Sequence, residues 1–243
     1  MRRVAVTGMG VVSPLGNGAS QAFAQARAGH SGVHCLQASF TDRLTAPLAA
    51  TASFNGADHF EPPKLRMLDR VSQFALVAAS QAVADARADF PQADRGRVGV
   101  FLGTGMGASQ TSDDGYKTLY GDRSDRIKPF TVLMGMHNAS AAWIAMEHAF
   151  CGPSLTYSTA CSSSAVALGE ALLRISGKYL PSQLRTQNAG PEPDAIWRGG
   201  GAGCWLRPNG SAKKLACGAA WRCCCFGAPA NRKSNRPSAD AAR

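Results

Sequence analysis

Apolar and polar positions along the first 176 residues predict helices and strands in alternation. Continuous apolar runs are typical of buried strands, and the predicted strands are 3–8, 98–104 and 155–158. Apolar residues at helical spacing predict helices at 20–28, 68–88, 162–175 and over much of 132–150. Residues 30–66 fit turns and short strands, including 48–54, whereas the polar, Gly-rich stretch 105–130 fits a surface excursion. This alternation predicts an α/β fold.

The pattern ends near residue 176. No stretch after about residue 180 keeps a helical or strand period beyond a few residues, and glycines and prolines interrupt it repeatedly. The first 176 residues hold 15 Lys+Arg against 13 Asp+Glu, whereas the last 67 hold 11 against 3, so nearly all of the net charge of +10 lies in the tail. We therefore divide the chain into a region 1–176 and a basic Cys/Trp/Gly/Pro-rich tail 177–243.

Two interpretations of the tail are open. One hypothesis is a frameshift close to residue 176. Translation of GC-rich DNA in a wrong reading frame gives a patternless sequence rich in Arg, Gly, Ala, Pro, Cys and Trp. A disordered basic tail is the other. Three tryptophans and the run 223–225 of cysteines argue against the second interpretation, because disordered tails are usually poor in both residue types.

Cys161 is the strongest candidate for chemistry. A short strand leads into small residues, and a helix is predicted to begin at the cysteine, where unpaired backbone N–H groups and the helix dipole favour a thiolate. Small neighbours permit a sharp turn and close approach of a substrate carbonyl, and the backbone N–H of Cys161 is placed to donate to an oxyanion. The competing interpretation is a buried structural cysteine.

Four segments resemble one enzyme family. Ser158-Thr-Ala-Cys-Ser-Ser-Ser-Ala165 resembles the nucleophile motif of the β-ketoacyl-acyl-carrier-protein synthases, the elongating condensing enzymes of the thiolase-like superfamily in fatty-acid and polyketide assembly. Segments 4–16, 67–75 and 97–105 resemble the same family in the same order. The resemblance covers residues 1 to about 175. It implies a thiolase-like fold of which this chain supplies the first (N-terminal) half of the duplicated five-layer architecture, incomplete.

The resemblance also implies a reaction and a site. Cys161 would take an acyl chain from acyl carrier protein as a thioester, and a malonyl thioester would then lose carbon dioxide and attack that acyl group. The implied acyl pocket comprises Met106, Gly107, Leu133 and Met134. The basic residues that would dock the acidic carrier protein are Lys64, Arg66, Arg70, Arg126 and Lys128. No cofactor is expected, because phosphopantetheine arrives on the carrier protein, and the intact family member is expected to be a homodimer.

The groups that complete condensation are missing from this sequence. The family uses two histidines from its second half, and no histidine follows His148 here. Removing members of a catalytic unit costs orders of magnitude in rate. We therefore expect a truncated or frameshifted synthase that is inactive in condensation and exposes apolar surface. The alternatives are a non-catalytic partner that dimerises with an intact synthase, which would usually lack the cysteine, and a thiolase or other relative with the same fold.

Other functions are disfavoured. Gly8-Met-Gly10 follows a strand, but Pro14 occupies the next turn and no acidic residue stands about twenty positions on, so a dinucleotide site is not indicated. His137 and His148 could share a helix face, but a surface or core role is favoured over catalysis. No metal-ligand spacing, nucleic-acid module or membrane span is legible. A strand at the N-terminus and cysteines without disulfide spacing predict a cytoplasmic location.

Overall fold

The structure is a computed structural model and describes residues 3–176, 195–199 and 202–208. The strands are β1 (Val4–Val11), β2 (His34–Cys35), β3 (Leu48–Ala49), β4 (Gly99–Gly103), β5 (Ser154–Tyr157), β6 (Ala195–Gly199) and β7 (Ala202–Pro208). The helices are α1 (Ala19–Arg27), α2 (Pro62–Leu65), α3 (Arg70–Asp85), α4 (Ser109–Tyr116), α5 (Thr131–Gly135), α6 (Ala139–His148) and α7 (Ser163–Ile175). No helix in these ranges is long and apolar enough to cross a membrane.

Within the described ranges, five strands form one mixed sheet in the order β1-β7-β6-β4-β5. Strand β4 runs parallel to both of its neighbours, with Phe101 opposite Leu155 of β5 and Trp197 of β6. Strand β7 is antiparallel to β6 and to β1. Strands β2 and β3 form a separate two-stranded ribbon. The carboxyl ends of β4 and β5 therefore lie at the same edge of the sheet.

Helices cover both faces of the sheet at β4. Val100 and Leu102 lie in a buried cluster with residues of α3 and α6, whereas Phe101 packs against Ala167, Ala171 and other residues of α7. Successive side chains of a strand point to opposite faces, so one continuous apolar run fills both cores. The result is a three-layer α/β/α arrangement, which agrees with the predicted α/β class.

Two glycines allow β1 to lie close against α3. A Cβ atom at Gly8 would overlap the backbone carbonyl oxygen of Ala82, and one at Gly10 would overlap that of Ala78. The neighbouring backbone N–H groups of β1 donate to α3 side chains, Met9 to Asp85 and Val11 to Gln81, each at 2.9 Å. The Gly8-Met-Gly10 motif therefore allows the strand to pack closely on the helix. The N–H groups of Met9 and Val11 already have hydrogen-bond partners.

The strands predicted at 3–8, 98–104 and 155–158 are confirmed, as are helices α1, α3 and α7, with boundaries shifted by up to three residues. Three predicted segments differ from the structure. The predicted strand 48–54 reduces to Leu48–Ala49. The predicted excursion 105–130 contains α4 and a π-helical turn at Lys117–Gly121. Most residues of α4 are polar and Thr111 is its one buried residue, so apolar residues do not recur along this helix at helical spacing. The predicted helix 132–150 is two helices, because Met136 is extended at ψ 137°.

Two segments of the tail belong to the sheet, which corrects the expectation that no regular element follows residue 180. Strand β6 pairs with β4 and β7, and β7 also pairs with β1. A Gly-Gly pair at 200–201 between two short apolar runs is typical of a hairpin, and hydrophobic periodicity alone does not reveal it. The boundary at 176 and the frameshift stay predictions, and the run 223–225 of cysteines lies outside the described residues.

Candidate active site around Cys161

Cys161 lies in a tight turn between β5 and α7. Strand β5 ends at Tyr157, residues Ala160–Ser162 form a 3-10 turn, and α7 begins at Ser163. The thiol is exposed, so the interpretation of a buried structural cysteine is wrong. Ala160 has a φ of 49°, a left-handed conformation that non-glycine residues rarely adopt and that recurs at functional sites.

The loop after β4 lies directly against this turn. Thr104 donates its N–H to the carbonyl oxygen of Tyr157 at 3.0 Å, and the Ser158 hydroxyl donates to the Gly105 carbonyl at 3.3 Å. Gly103 touches the first turn of α7, because a Cβ atom there would lie 2.5 Å from the carbonyl carbon and oxygen of Ser163. The segment 103–107 therefore forms one wall of the Cys161 site, at the carboxyl edge of the sheet.

Two serine hydroxyl groups form hydrogen bonds within the turn. The Ser162 hydroxyl donates to the Thr159 carbonyl at 2.7 Å, and the hydroxyl of buried Ser163 contacts both Thr159 and Ala160. These serines are within the motif that carried the sequence prediction, but their roles were not predicted. A string of three serines after a cysteine indicates a tight turn, and it does not indicate which hydroxyl is buried.

The four predicted acyl-pocket residues lie in different surroundings. Met106 and Leu133 are 77% and 61% exposed, whereas Met134 is buried. Gly107 adopts a φ of 59°, and a Cβ atom there would lie 3.1 Å from the ring of His137. Helices α4 and α5 pack against each other, and a Cβ atom at Gly115 would lie 3.6 Å from the Thr131 methyl group. The pocket role of these residues stays a prediction.

The five predicted docking residues differ in how freely they present charge. Arg66, Arg126 and Lys128 are exposed. The Lys64 ammonium pairs with Glu147 at 2.5 Å and lies 5.6 Å from the centre of the Phe60 ring. The Arg70 guanidinium donates to the Phe54 carbonyl at 2.7 Å and lies over the Phe54 and Phe74 rings. Lys64 and Arg70 therefore also stabilise the fold around α2 and α3.

The two histidines considered as a pair do not share a helix face. His137 precedes α6, whereas His148 is its last residue. The His148 ring stacks on Phe150 with the ring centres 5.2 Å apart, and its Nε2 lies 3.5 Å from the Ser80 hydroxyl. Within residues 3–176 no group of three or more His, Cys, Asp or Glu side chains is placed to hold a metal ion.

Fold and site together define an α/β protein that presents an exposed cysteine in a strained turn at the start of a helix. Comparison with known proteins identifies the class. The family model described as "Beta-ketoacyl synthase, N-terminal domain" matches residues 1–179. The chain belongs to the β-ketoacyl synthase family, whose members act in fatty-acid and polyketide synthesis.

The curated relatives described here are enzymes of the same name. The chain is 32% identical over 171 residues to 3-oxoacyl-[acyl-carrier-protein] synthase 2 of Staphylococcus aureus (strain COL), which covers 70% of this chain and 41% of the relative. It is 33% identical over 181 residues to the enzyme of the same name from Rhizobium meliloti, covering 70% and 43%. The chain thus spans about two fifths of the length of these relatives.

Solved structures confirm the thiolase-like fold. A β-ketoacyl synthase from Burkholderia phymatum is 25% identical with a TM-score of 0.65, covering 81% of this chain and 46% of that one. The ishigamide ketosynthase/chain length factor, at 24% identity and the same TM-score, covers 87% and 63%. A type II polyketide ketosynthase solved with its acyl carrier protein is 21% identical with a TM-score of 0.62, covering 81% and 50%. The predicted first half of the ketosynthase architecture is therefore the fold of this chain.

Proposed function

We propose that this chain carries out the acylation step of a 3-oxoacyl-acyl-carrier-protein synthase, with Cys161 as the acyl acceptor. The observation that carries the proposal is the exposed thiol of Cys161, next to left-handed Ala160 and two residues before the first residue of the 13-residue helix α7. Exposure gives a thioester access to the Cys161 sulfur, and strained backbone of this kind recurs at active sites. Family membership and the name of the curated relatives support this reaction.

The step is a thioester exchange. The Cys161 sulfur attacks the carbonyl carbon of an acyl group that acyl carrier protein holds on its phosphopantetheine thiol. A new C–S bond forms to Cys161, the C–S bond to phosphopantetheine breaks, and the thiol proton of the cysteine ends on the released phosphopantetheine sulfur. The backbone N–H of Cys161, in the 3-10 turn that leads into α7, stabilises the oxyanion of the tetrahedral intermediate. No cofactor resident on this chain enters the exchange.

We further propose that residues 1–243 do not condense the bound acyl group with a malonyl unit. The family resemblance assigns decarboxylation to two histidines of the second half, and no histidine follows His148 in this sequence. Acylation without condensation is therefore the expected activity of the 243-residue polypeptide.

Mass spectrometry separates the two steps. The chain is mixed with acyl carrier protein loaded with a saturated acyl group, digested and analysed, and then challenged with malonyl-loaded carrier protein. We expect the acyl mass on the peptide that contains Cys161, none in Cys161→Ala, and no β-ketoacyl product. Cys151→Ala is the matched control, since Cys151 is also exposed and should not affect acylation. An acyl group that persists in Cys161→Ala would contradict the assignment.

We propose that Arg126, Lys128 and Arg66 contribute most to docking of the acidic carrier protein. They are exposed, whereas Lys64 and Arg70 already make contacts within the protein. Reversing the charge at Arg126 and Lys128 should weaken carrier binding and reduce its dependence on salt, because exposed charges act through screened attraction. Fluorescence anisotropy with labelled carrier protein measures both effects. Arg43→Glu, also exposed, is the control.

We also propose that the chain associates with a second copy of itself through apolar residues near α4 and α5; the alternative is association with an intact synthase as a non-catalytic partner. Large apolar side chains are exposed on these two packed helices and beside them, namely Met106, Tyr116, Tyr120, Val132 and Leu133. A cluster of exposed, large apolar side chains favours association with another protein surface. Light scattering after gel filtration tests self-association, and co-expression with an intact synthase tests the partner role. Acylation of Cys161 within a mixed complex would argue against a purely non-catalytic subunit.

A further inference from the structure

A buried hydroxyl lies at the centre of the Cys161 turn. Ser163 is only 2% exposed, and its Oγ accepts the backbone N–H of Thr159 at 2.8 Å. The same hydroxyl faces two carbonyl oxygens as a donor, Ala160 at 2.7 Å and Thr104 at 3.0 Å. One side chain therefore bonds the backbone on both sides of the left-handed residue and bridges to the loop after β4.

These hydrogen bonds of Ser163 stabilise the strained turn. A non-glycine residue in the left-handed region is maintained only where its surroundings over-determine it. Ser163 binds the N–H before Ala160 and the carbonyl of Ala160 itself, so it restrains the peptide units that precede Cys161. Water cannot easily replace this hydroxyl, because the site is buried and its partners would be left unpaired.

The neighbouring serine provides the contrast. Ser162 Oγ also bonds to Thr159, at 2.7 Å from its carbonyl oxygen and 3.1 Å from its hydroxyl, but it is exposed. Solvent is available to the Thr159 carbonyl if that hydroxyl is lost. The two adjacent serines thus differ in burial and in partners, because Ser163 also bonds to the Ala160 and Thr104 carbonyls.

We propose that Ser163 is a positioning residue for acyl transfer. Its hydroxyl sets the turn that aligns the Cys161 sulfur with the backbone N–H of the same residue, so that attack and oxyanion stabilisation occur together. The inference rests on the proposed acylation of Cys161 and adds the residue that orients it. The Ser163 hydroxyl bonds to backbone atoms of Thr104, Thr159 and Ala160, so the role proposed for it is to position Cys161 and not to react.

An isosteric pair tests the role. Ser163→Thr keeps the hydroxyl, whereas Ser163→Val has the same shape without it, and Ser162→Ala is the exposed control. Two rates are measured on the full chain: acyl transfer from an acyl thioester to Cys161, and alkylation of Cys161 by iodoacetamide. Alkylation needs an accessible sulfur but no oxyanion donor. Its rate therefore reports the exposure of Cys161 and the folding of the chain, but does not depend on the alignment of the sulfur with the backbone N–H. Urea unfolding of each variant accompanies both rates.

We expect Ser163→Val to transfer acyl groups about 10- to 100-fold more slowly than Ser163→Thr, because small misplacements of reacting groups cost that much. Alkylation should differ by less than about threefold between them, and Ser162→Ala should stay within about threefold of the wild type in both rates.

Equal acyl-transfer rates for the Thr and Val variants would overturn the inference. So would a parallel fall of both rates with the urea midpoint, since that is the signature of a purely structural residue. A wild-type chain that is alkylated at Cys161 but takes no acyl group would overturn the proposed function itself, and this inference with it.

Discussion

Replacing Gly103 by alanine tests whether the contact between β4 and α7 positions the candidate site. The new Cβ atom would lie 2.5 Å from the carbonyl carbon and oxygen of Ser163 and 2.6 Å from the backbone nitrogen of Ser164. These are backbone atoms in the first turn of α7, so no side-chain rotation relieves the overlap. Either the end of β4 or the start of α7 must move.

The size of the shift follows from the contact distances. Real Cβ contacts essentially never fall below 3.0 Å and are ordinary from 3.4 Å, so the gap must open by about 0.5 to 0.9 Å. Overpacking of this kind costs about 1–3 kcal/mol of the free energy of unfolding. A displacement approaching 1 Å, passed to Cys161 two residues before Ser163, lowers the acylation rate by about 100-fold.

Gly105→Ala is the matched control in the same loop. A Cβ atom at Gly105 has the Ala160 carbonyl oxygen as its nearest neighbour, at 3.9 Å, which is an ordinary contact. Urea unfolding and the rate of Cys161 acylation are measured for both variants and the wild type. We expect Gly105→Ala to stay within about 0.5 kcal/mol of the wild type in stability. Wild-type stability and acylation in Gly103→Ala would refute the reasoning.

Three further predictions concern stability and are measured by urea or thermal unfolding. Asp69→Asn should lose about 1–3 kcal/mol, because the buried carboxylate caps α3 and accepts two hydrogen bonds from Thr111; exposed Asp42→Asn is its control. Gly169→Ala should gain about 0.5–1 kcal/mol, since this helix interior has open space for a Cβ atom. Gly10→Ala should lose about 1–3 kcal/mol or more, because its Cβ atom would overlap the α3 backbone.

Each of these predictions has a contradicting result. Unchanged stability of Asp69→Asn would mean that the link between α3 and α4 is replaceable by solvent. A lower melting temperature for Gly169→Ala would mean that α7 packs more tightly around that position than its surroundings indicate. A normal urea midpoint for Gly10→Ala would mean that β1 and α3 can separate without loss of core contacts.

The elements that were predictable are those whose pattern is local. The run at β4 is apolar at every position and buried on both faces, so neither its type nor its place depends on knowing its partners. Helix α3 begins directly after Asp69, whose side chain accepts the Val71 N–H. Asp is a common N-cap residue, but the apolar pattern alone placed the start of this helix at residue 68. Helix α4 was missed because it is polar, and its stability comes from packing and from the buried Asp69–Thr111 bonds.

The sequence by itself determined the family resemblance, the α/β class and the turn around Cys161, because short-range periodicity and a run of small residues encode them. Only the tertiary structure decided why particular glycines and serines stand where they do. Gly103 meets Ser163 across 60 positions of chain, and the Ser163 hydroxyl reaches the Thr104 carbonyl across 59. It likewise placed β6 and β7 in the sheet. Contacts between residues so far apart depend on how layers pack, and no local pattern specifies that packing.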